Sequence, residues 1–169
     1  MRSPTITACP LPALTDLALA EPFTMLLDAA PRHPLGQRSL LARAPFQVAV
    51  VRGRRVAVYA AGGCREEWGD PWAIMRELMA PYRQAADPRH PCPGGVVGYL
   101  SYDLARLRFA LPDQPDPLGL PDAVFGFYRD VICWLPGDAM AWHGRAAAAP
   151  DSVARMALDL PAPGPHREL

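Results

Sequence analysis

The stretch PGGVVGYLSYDLAR, Pro93 to Arg106, decides how the rest of the chain is read. Its three glycines invite a phosphate-loop reading, but a Walker-type loop needs a lysine before Ser/Thr, and all the basic side chains here are arginines. A dinucleotide fingerprint needs G-x-G-x-x-G, and only Gly95-x-x-Gly98 is present. Alternation fits better. Val96, Gly98, Leu100 and Tyr102 fall on one face, and Val97, Tyr99, Ser101 and Asp103 fall on the other. The expectation is a sheet strand from Val96 to Asp103 that is structural and interfacial. Gly98 then marks a close approach by a neighbouring element, because glycine inside a strand leaves room for another backbone.

Working outward, Asp70-Pro71 is a helix start, with an acceptor at the N-cap and proline just inside. Trp72, Met75, Leu78, Met79 and Tyr82 share one helical face, and Pro81 ends or kinks the helix. Two β-branched runs, Gln47–Val51 and Val56–Ala60, flank Arg52-Gly53-Arg54-Arg55 and predict a hairpin with a solvated turn. Further upstream, Glu21-Pro22 opens EPFTMLLDAA, where Phe23, Leu26, Leu27 and Ala30 lie at helical spacing and predict a short helix. Downstream, a Pro/Asp-rich loop leads to AVFGFYRDVICWL, expected as one long strand, then a turn and the partner strand AMAWHG. A last helix is expected near Asp151–Leu160.

Strands and helices without strict alternation indicate an α+β fold with antiparallel-rich sheets and outer helices. The expected organisation is a leader over residues 1–20, a domain over 21–145, and a helix with a Pro-rich tail or linker over 146–169.

Of the 169 residues, half are apolar, and formal net charge is zero. That composition builds a core and speaks against nucleic-acid or anionic-membrane partners. Cys9, Cys64, Cys92 and Cys133 are scattered without metal-ligand spacing, so no metal site is expected. Pro10, Pro12 and Asp16 interrupt any signal-peptide core, and no run reaches the ~20 apolar residues of a membrane span. A cytoplasmic, reduced protein is expected. Asp103, Asp113, Asp116 and Asp122 stand beside Pro and Gly and read as turn and cap residues rather than as metal or base carboxylates.

GGVVGYLSYDLAR followed by DPLGLPDAVFGFYRD resembles the N-terminal domain of component I of anthranilate synthase and aminodeoxychorismate synthase, whose usual text is close to GGxVGYLxYDLxR and then LPDxxFGxYD. Upstream, MLLDAA resembles the family's LLES segment and GQRSLLARAP its GRYSFLGADP. Order and spacing hold from about Pro22 to Trp142. The Trp-containing hairpin VICWLPGDAMAWHG favours the para-aminobenzoate branch.

The resemblance implies the N-terminal, non-catalytic portion of aminodeoxychorismate synthase component I, on the route from chorismate to 4-aminobenzoate and folate. In that family chorismate, Mg²⁺ and the catalytic residues belong to a C-terminal chorismate-binding domain, which this sequence does not contain, so no catalytic residue is assigned. The implied partners are that catalytic domain or subunit and a glutamine amidotransferase. The resemblance also implies a tryptophan-type pocket framed by Leu27, Asp28, Ala29, Arg38 and Ser39. Ala29 stands where the family has serine, and Arg38 where it has an aromatic residue. Alternatives are a stand-alone aromatic amino acid-binding regulatory module, or an inactive fragment of anthranilate synthase component I.

Overall fold

The computed structural model describes residues 21–29, 38–83, 94–109, 111–112, 116, 118–129, 131–134 and 141–143. Among the described residues, nine strands are β1 (Met25–Leu27), β2 (Ser39–Ala42), β3 (Gln47–Arg52), β4 (Arg55–Ala60), β5 (Gly63–Trp68), β6 (Gly95–Leu100), β7 (Ala123–Tyr128), β8 (Val131–Trp134) and β9 (Ala141–His143), with one α-helix, α1 (Pro71–Met79). They form two sheets, of order β1-β2-β8-β9 and β5-β4-β3-β7-β6, with every pairing antiparallel. The α+β expectation holds. The leader, Asp113 and the helix expected near Asp151–Leu160 lie outside the described residues.

The hairpin forms as its β-branched runs require. Val51 faces Val56 and Arg52 faces Arg55 across a two-residue turn at Gly53-Arg54, where Gly53 takes φ +57°. Two of its arginines are engaged: Arg52 Nη1 donates to the Gly119 carbonyl at 2.9 Å, and Arg55 pairs with Glu66. Helix α1 starts at its cap, with Asp70 Oδ1 accepting from the Trp72 amide at 3.1 Å. Pro81 tightens its end into a 3₁₀ turn, Ala80–Tyr82. The helix buries Ile74 and Met75 on the five-stranded sheet, against Val51, Val56, Val58 and Phe127. Val48, Val50 and Val124 point to the other face, where Phe23 and Tyr59 cover them.

Three expectations are corrected. The described part of the expected Glu21–Ala30 helix, residues 21–29, is not helical. Thr24 closes a turn on the Glu21 carbonyl (3.1 Å) in which Phe23 takes φ +57°, and Met25–Leu27 then pairs with β2. A segment this short gains little from helix nucleation, whereas pairing with Leu40–Ala42 satisfies its backbone at once. The strand from Val96 stops at Leu100, and Tyr102 and Asp103 open a 3₁₀ helix, Tyr102–Leu107. Leu104 turns into the core there, 4% exposed, and Asp103 accepts from Arg106 Nε at 2.9 Å, one turn on.

The third correction sets the architecture. AVFGFYRDVICWL is two strands in different sheets. Ala42 faces Val131 in one ladder and Gln47 faces Phe127 in the next, so four residues on one strand oppose three on the other. That extra residue is a bulge, and Ala44 within it takes φ +46°. The β2–β3 and β7–β8 ribbon therefore passes as a unit from the four-stranded to the five-stranded sheet. Ala42, Tyr128 and Val131 fill the corner.

Candidate functional site

Antiparallel pairing of β1 with β2 places Leu27 opposite Leu40, so the residue after one strand meets the residue before Leu40 on the other. Ser39 is 1% exposed. Its hydroxyl donates to Asp28 Oδ1 at 2.7 Å and accepts from the Ala29 amide at 3.0 Å. Leu27 and Asp28 are exposed, Ala29 is buried, and Arg38 is exposed with Nη1 3.9 Å from the Cys133 sulfur. The five residues expected from the resemblance thus lie together at one end of the β1–β2 ladder. Chemically this is a carboxylate oriented by a buried hydroxyl, with a guanidinium one residue from that hydroxyl. The Ala29 side chain contributes no polar group, but its backbone amide holds the serine in place.

The second feature is the β6 edge. A Cβ on Gly98 would stand 1.9 Å from the Val124 carbonyl oxygen and 2.9 Å from the Phe125 Cα, so the close approach expected there is made by the backbone of β7. The Tyr99 hydroxyl donates to the Pro121 carbonyl at 3.0 Å. Its partial burial raises the phenol above its usual range; nearby Arg52 opposes the shift and Asp122 adds to it. The Ser101 amide donates to the Asp122 carbonyl at 2.7 Å, and the Asp122 side chain accepts from the Gly53 amide, tying this edge to the hairpin turn. Asp116 caps its own turn, accepting from the Leu118 and Gly119 amides. Asp103, Asp116 and Asp122 are thus turn and tie residues, as the sequence suggests.

At the end of β6 and in the segments that follow it along the chain, Leu100, Tyr102, Phe109, Leu118 and Leu120 are at least half exposed, Tyr102 most of all at 85%. Sequence reasoning assigned the strand to an interface but missed the loop leucines, which carry no periodic signal. Among the described residues, no group of three or more His, Cys, Asp or Glu is placed to hold a metal ion, and no helix is long and apolar enough to cross a membrane.

No protein-family model matches the chain. Among curated proteins, anthranilate synthase component 1 of Thermus thermophilus is 37% identical over 123 residues, covering 69% of this chain and 25% of the relative. That of Mycobacterium tuberculosis is 31% identical over 166 residues, covering 87% and 32%. The chain therefore spans about a quarter to a third of the length of these relatives. The crystal structure of anthranilate synthase component I from Streptococcus pneumoniae shares the fold, with TM-score 0.54 at 18% identity over 96% of this chain and 38% of that one.

Proposed function

Since the chain is homologous to the N-terminal part of anthranilate synthase component I, we propose that it serves as the non-catalytic N-terminal portion of such a chorismate-using enzyme. It would dock on a chorismate-binding catalytic portion, with a glutamine amidotransferase supplying ammonia. The observation that carries this reading is the extent of the mycobacterial match, which runs through nearly the whole of this chain. The exposed apolar rim of β6 supports it, since patches of this kind mark interaction surfaces. On this reading any Mg²⁺ sits with the catalytic portion, and the enzyme works in the cytoplasm.

Between the two branches of the family, we favour the anthranilate one. The relatives named above all carry that name. The Trp-containing hairpin that suggests the para-aminobenzoate branch gains nothing from them. The test is a chimaera in which this chain replaces the matching segment of the Thermus thermophilus protein. Anthranilate formed from chorismate and ammonia supports the reading. Accumulation of 4-amino-4-deoxychorismate reassigns the branch, and an inactive but folded chimaera overturns docking.

The same reading gives the β1–β2 end a ligand. Asp28 would receive the ammonium of an aromatic amino acid, Arg38 its carboxylate, and Leu27 its ring, while Ser39 and Ala29 hold Asp28 in place. Calorimetric titration with tryptophan tests this. Heat that disappears in Asp28→Asn supports it, and no heat at millimolar tryptophan overturns it.

A further inference from the structure

Where α1 ends, a cavity of about 590 Å³ opens on the helix-covered face of the five-stranded sheet. This volume lies in the range of small-molecule sites. It is far from a bare apolar groove. Phe46, Tyr82 and Phe127 form three of its walls, each ring edge-on to the other two, with centroids 5.1, 6.0 and 6.2 Å apart. Val96 of β6 adds a fourth wall.

Arg83 and Arg129 also line the cavity. The Arg129 guanidinium stands 4.7 Å from the Phe46 ring centroid. Such a cation is held against the aromatic wall while its N–H groups stay available for an acceptor. No carboxylate among the described residues pairs with either arginine; the ion pairs there join Arg43, Arg55, Arg65 and Arg106 to their own acids.

Aromatic walls and two guanidiniums that no carboxylate among the described residues pairs with select one class of molecule. We propose that this cavity binds a planar, apolar monoanion of the aromatic carboxylate class, its ring laid against the Phe46–Tyr82 pair and Val96, with Phe127 packed behind that pair, and its carboxylate on Arg83 and Arg129. The site is separate from the β1–β2 end, which lies in the other sheet, and does not depend on the function proposed for the chain.

The test is calorimetric titration of the full chain with 2-naphthoate and with its uncharged analogue 2-naphthamide. The acid should bind about tenfold more tightly, as a charge-assisted contact requires. Arg83→Gln/Arg129→Gln, at two exposed positions, should abolish that preference with only a small shift of the unfolding midpoint, from the lost Arg129–Phe46 contact. Tyr82→Ser should weaken both probes, and Arg38→Gln should change neither. Equal binding of acid and amide, no heat with the acid at millimolar concentration, or a preference that survives in the double variant would each overturn the proposal.

Discussion

The Tyr128 hydroxyl donates to the Phe23 carbonyl at 2.7 Å, closing a separation of 105 residues. The ring lies across Gly126, where a Cβ would stand 2.3 Å from the hydroxyl and 2.5 Å from the ring carbon that bears it. A glycine two residues earlier on the same sheet face thus gives the ring its slot, and the ring reaches the turn that leads into β1. One side chain therefore links the five-stranded sheet to the entry of the four-stranded one. Tyr128 is 2% exposed, so the bond is sheltered from water.

Tyr128→Phe should cost about 1–2 kcal/mol, because it leaves the Phe23 carbonyl without its donor. Urea unfolding midpoints measure this. The pH dependence has a definite sign. Burial holds the phenol well above its ordinary value of 10.0, so the folded state favours the neutral form. That contribution is fully present below pH 10.0 and is lost as pH climbs toward the higher folded value. The stability gap between wild type and Tyr128→Phe should hold constant from neutrality to there and then shrink. A gap that widens above it would contradict the assignment.

Gly98→Ala should be among the most damaging single methyl additions in the chain. The added carbon meets backbone, the Val124 carbonyl at 1.9 Å, which cannot rotate away. The expected loss is about 3 kcal/mol or more. Gly62 is the control, since a Cβ there meets nothing within 4 Å. Gly62→Ala should stay within about 0.5 kcal/mol of wild type. Comparison of the two by urea unfolding, or by soluble yield if Gly98→Ala does not fold, decides the matter.

These two glycines show where sequence could be read and where it could not. Gly98 interrupts a clean alternation, so its close contact was legible, as were the hairpin from its β-branched runs and α1 from Asp70-Pro71. Strand β5 was not. Gly63–Trp68 is an edge strand with no fully buried residue and Trp68 74% exposed, so no apolar alternation marks it. The switch of sheets after Tyr128 was hidden for a different reason. Both halves of AVFGFYRDVICWL are β-formers, and the bulge that separates them lies on the partner strand, near Ala44. Asp28 and Ser39 meet only through the β1–β2 register, and the resemblance to a family, rather than any local pattern, joined them in advance.

Ser39→Ala should destabilise the chain by about 1–3 kcal/mol. It removes a hydroxyl that is 1% exposed, strips the Ala29 amide of its acceptor and frees the Asp28 carboxylate from its donor. Asp28→Asn keeps an acceptor for the serine, so its stability should stay close to wild type while any ammonium binding is lost. Urea unfolding of both variants, alongside the tryptophan titration, separates the structural from the binding role. A stable Ser39→Ala protein would show that this hydroxyl does not organise the site.

The rim of β6 makes the last prediction. Among the described residues the strand is the outer edge of its sheet, and none of them pairs with its far side. The Ser101–Asp122 backbone bond brings the Leu120 segment beside Leu100 and Tyr102, and Leu118 precedes it by one glycine. An apolar rim next to an open strand edge favours association, so the isolated chain should show concentration-dependent self-association in sedimentation velocity. Tyr102→Ser/Leu118→Ser removes two side chains that are 85% and 65% exposed, so little core packing is lost with them. The variant should therefore sediment as a monomer with its urea midpoint shifted by no more than about 0.5 kcal/mol. If the wild-type chain stays monomeric at every concentration, the rim is not a docking surface. The case for a catalytic partner would then rest on homology alone.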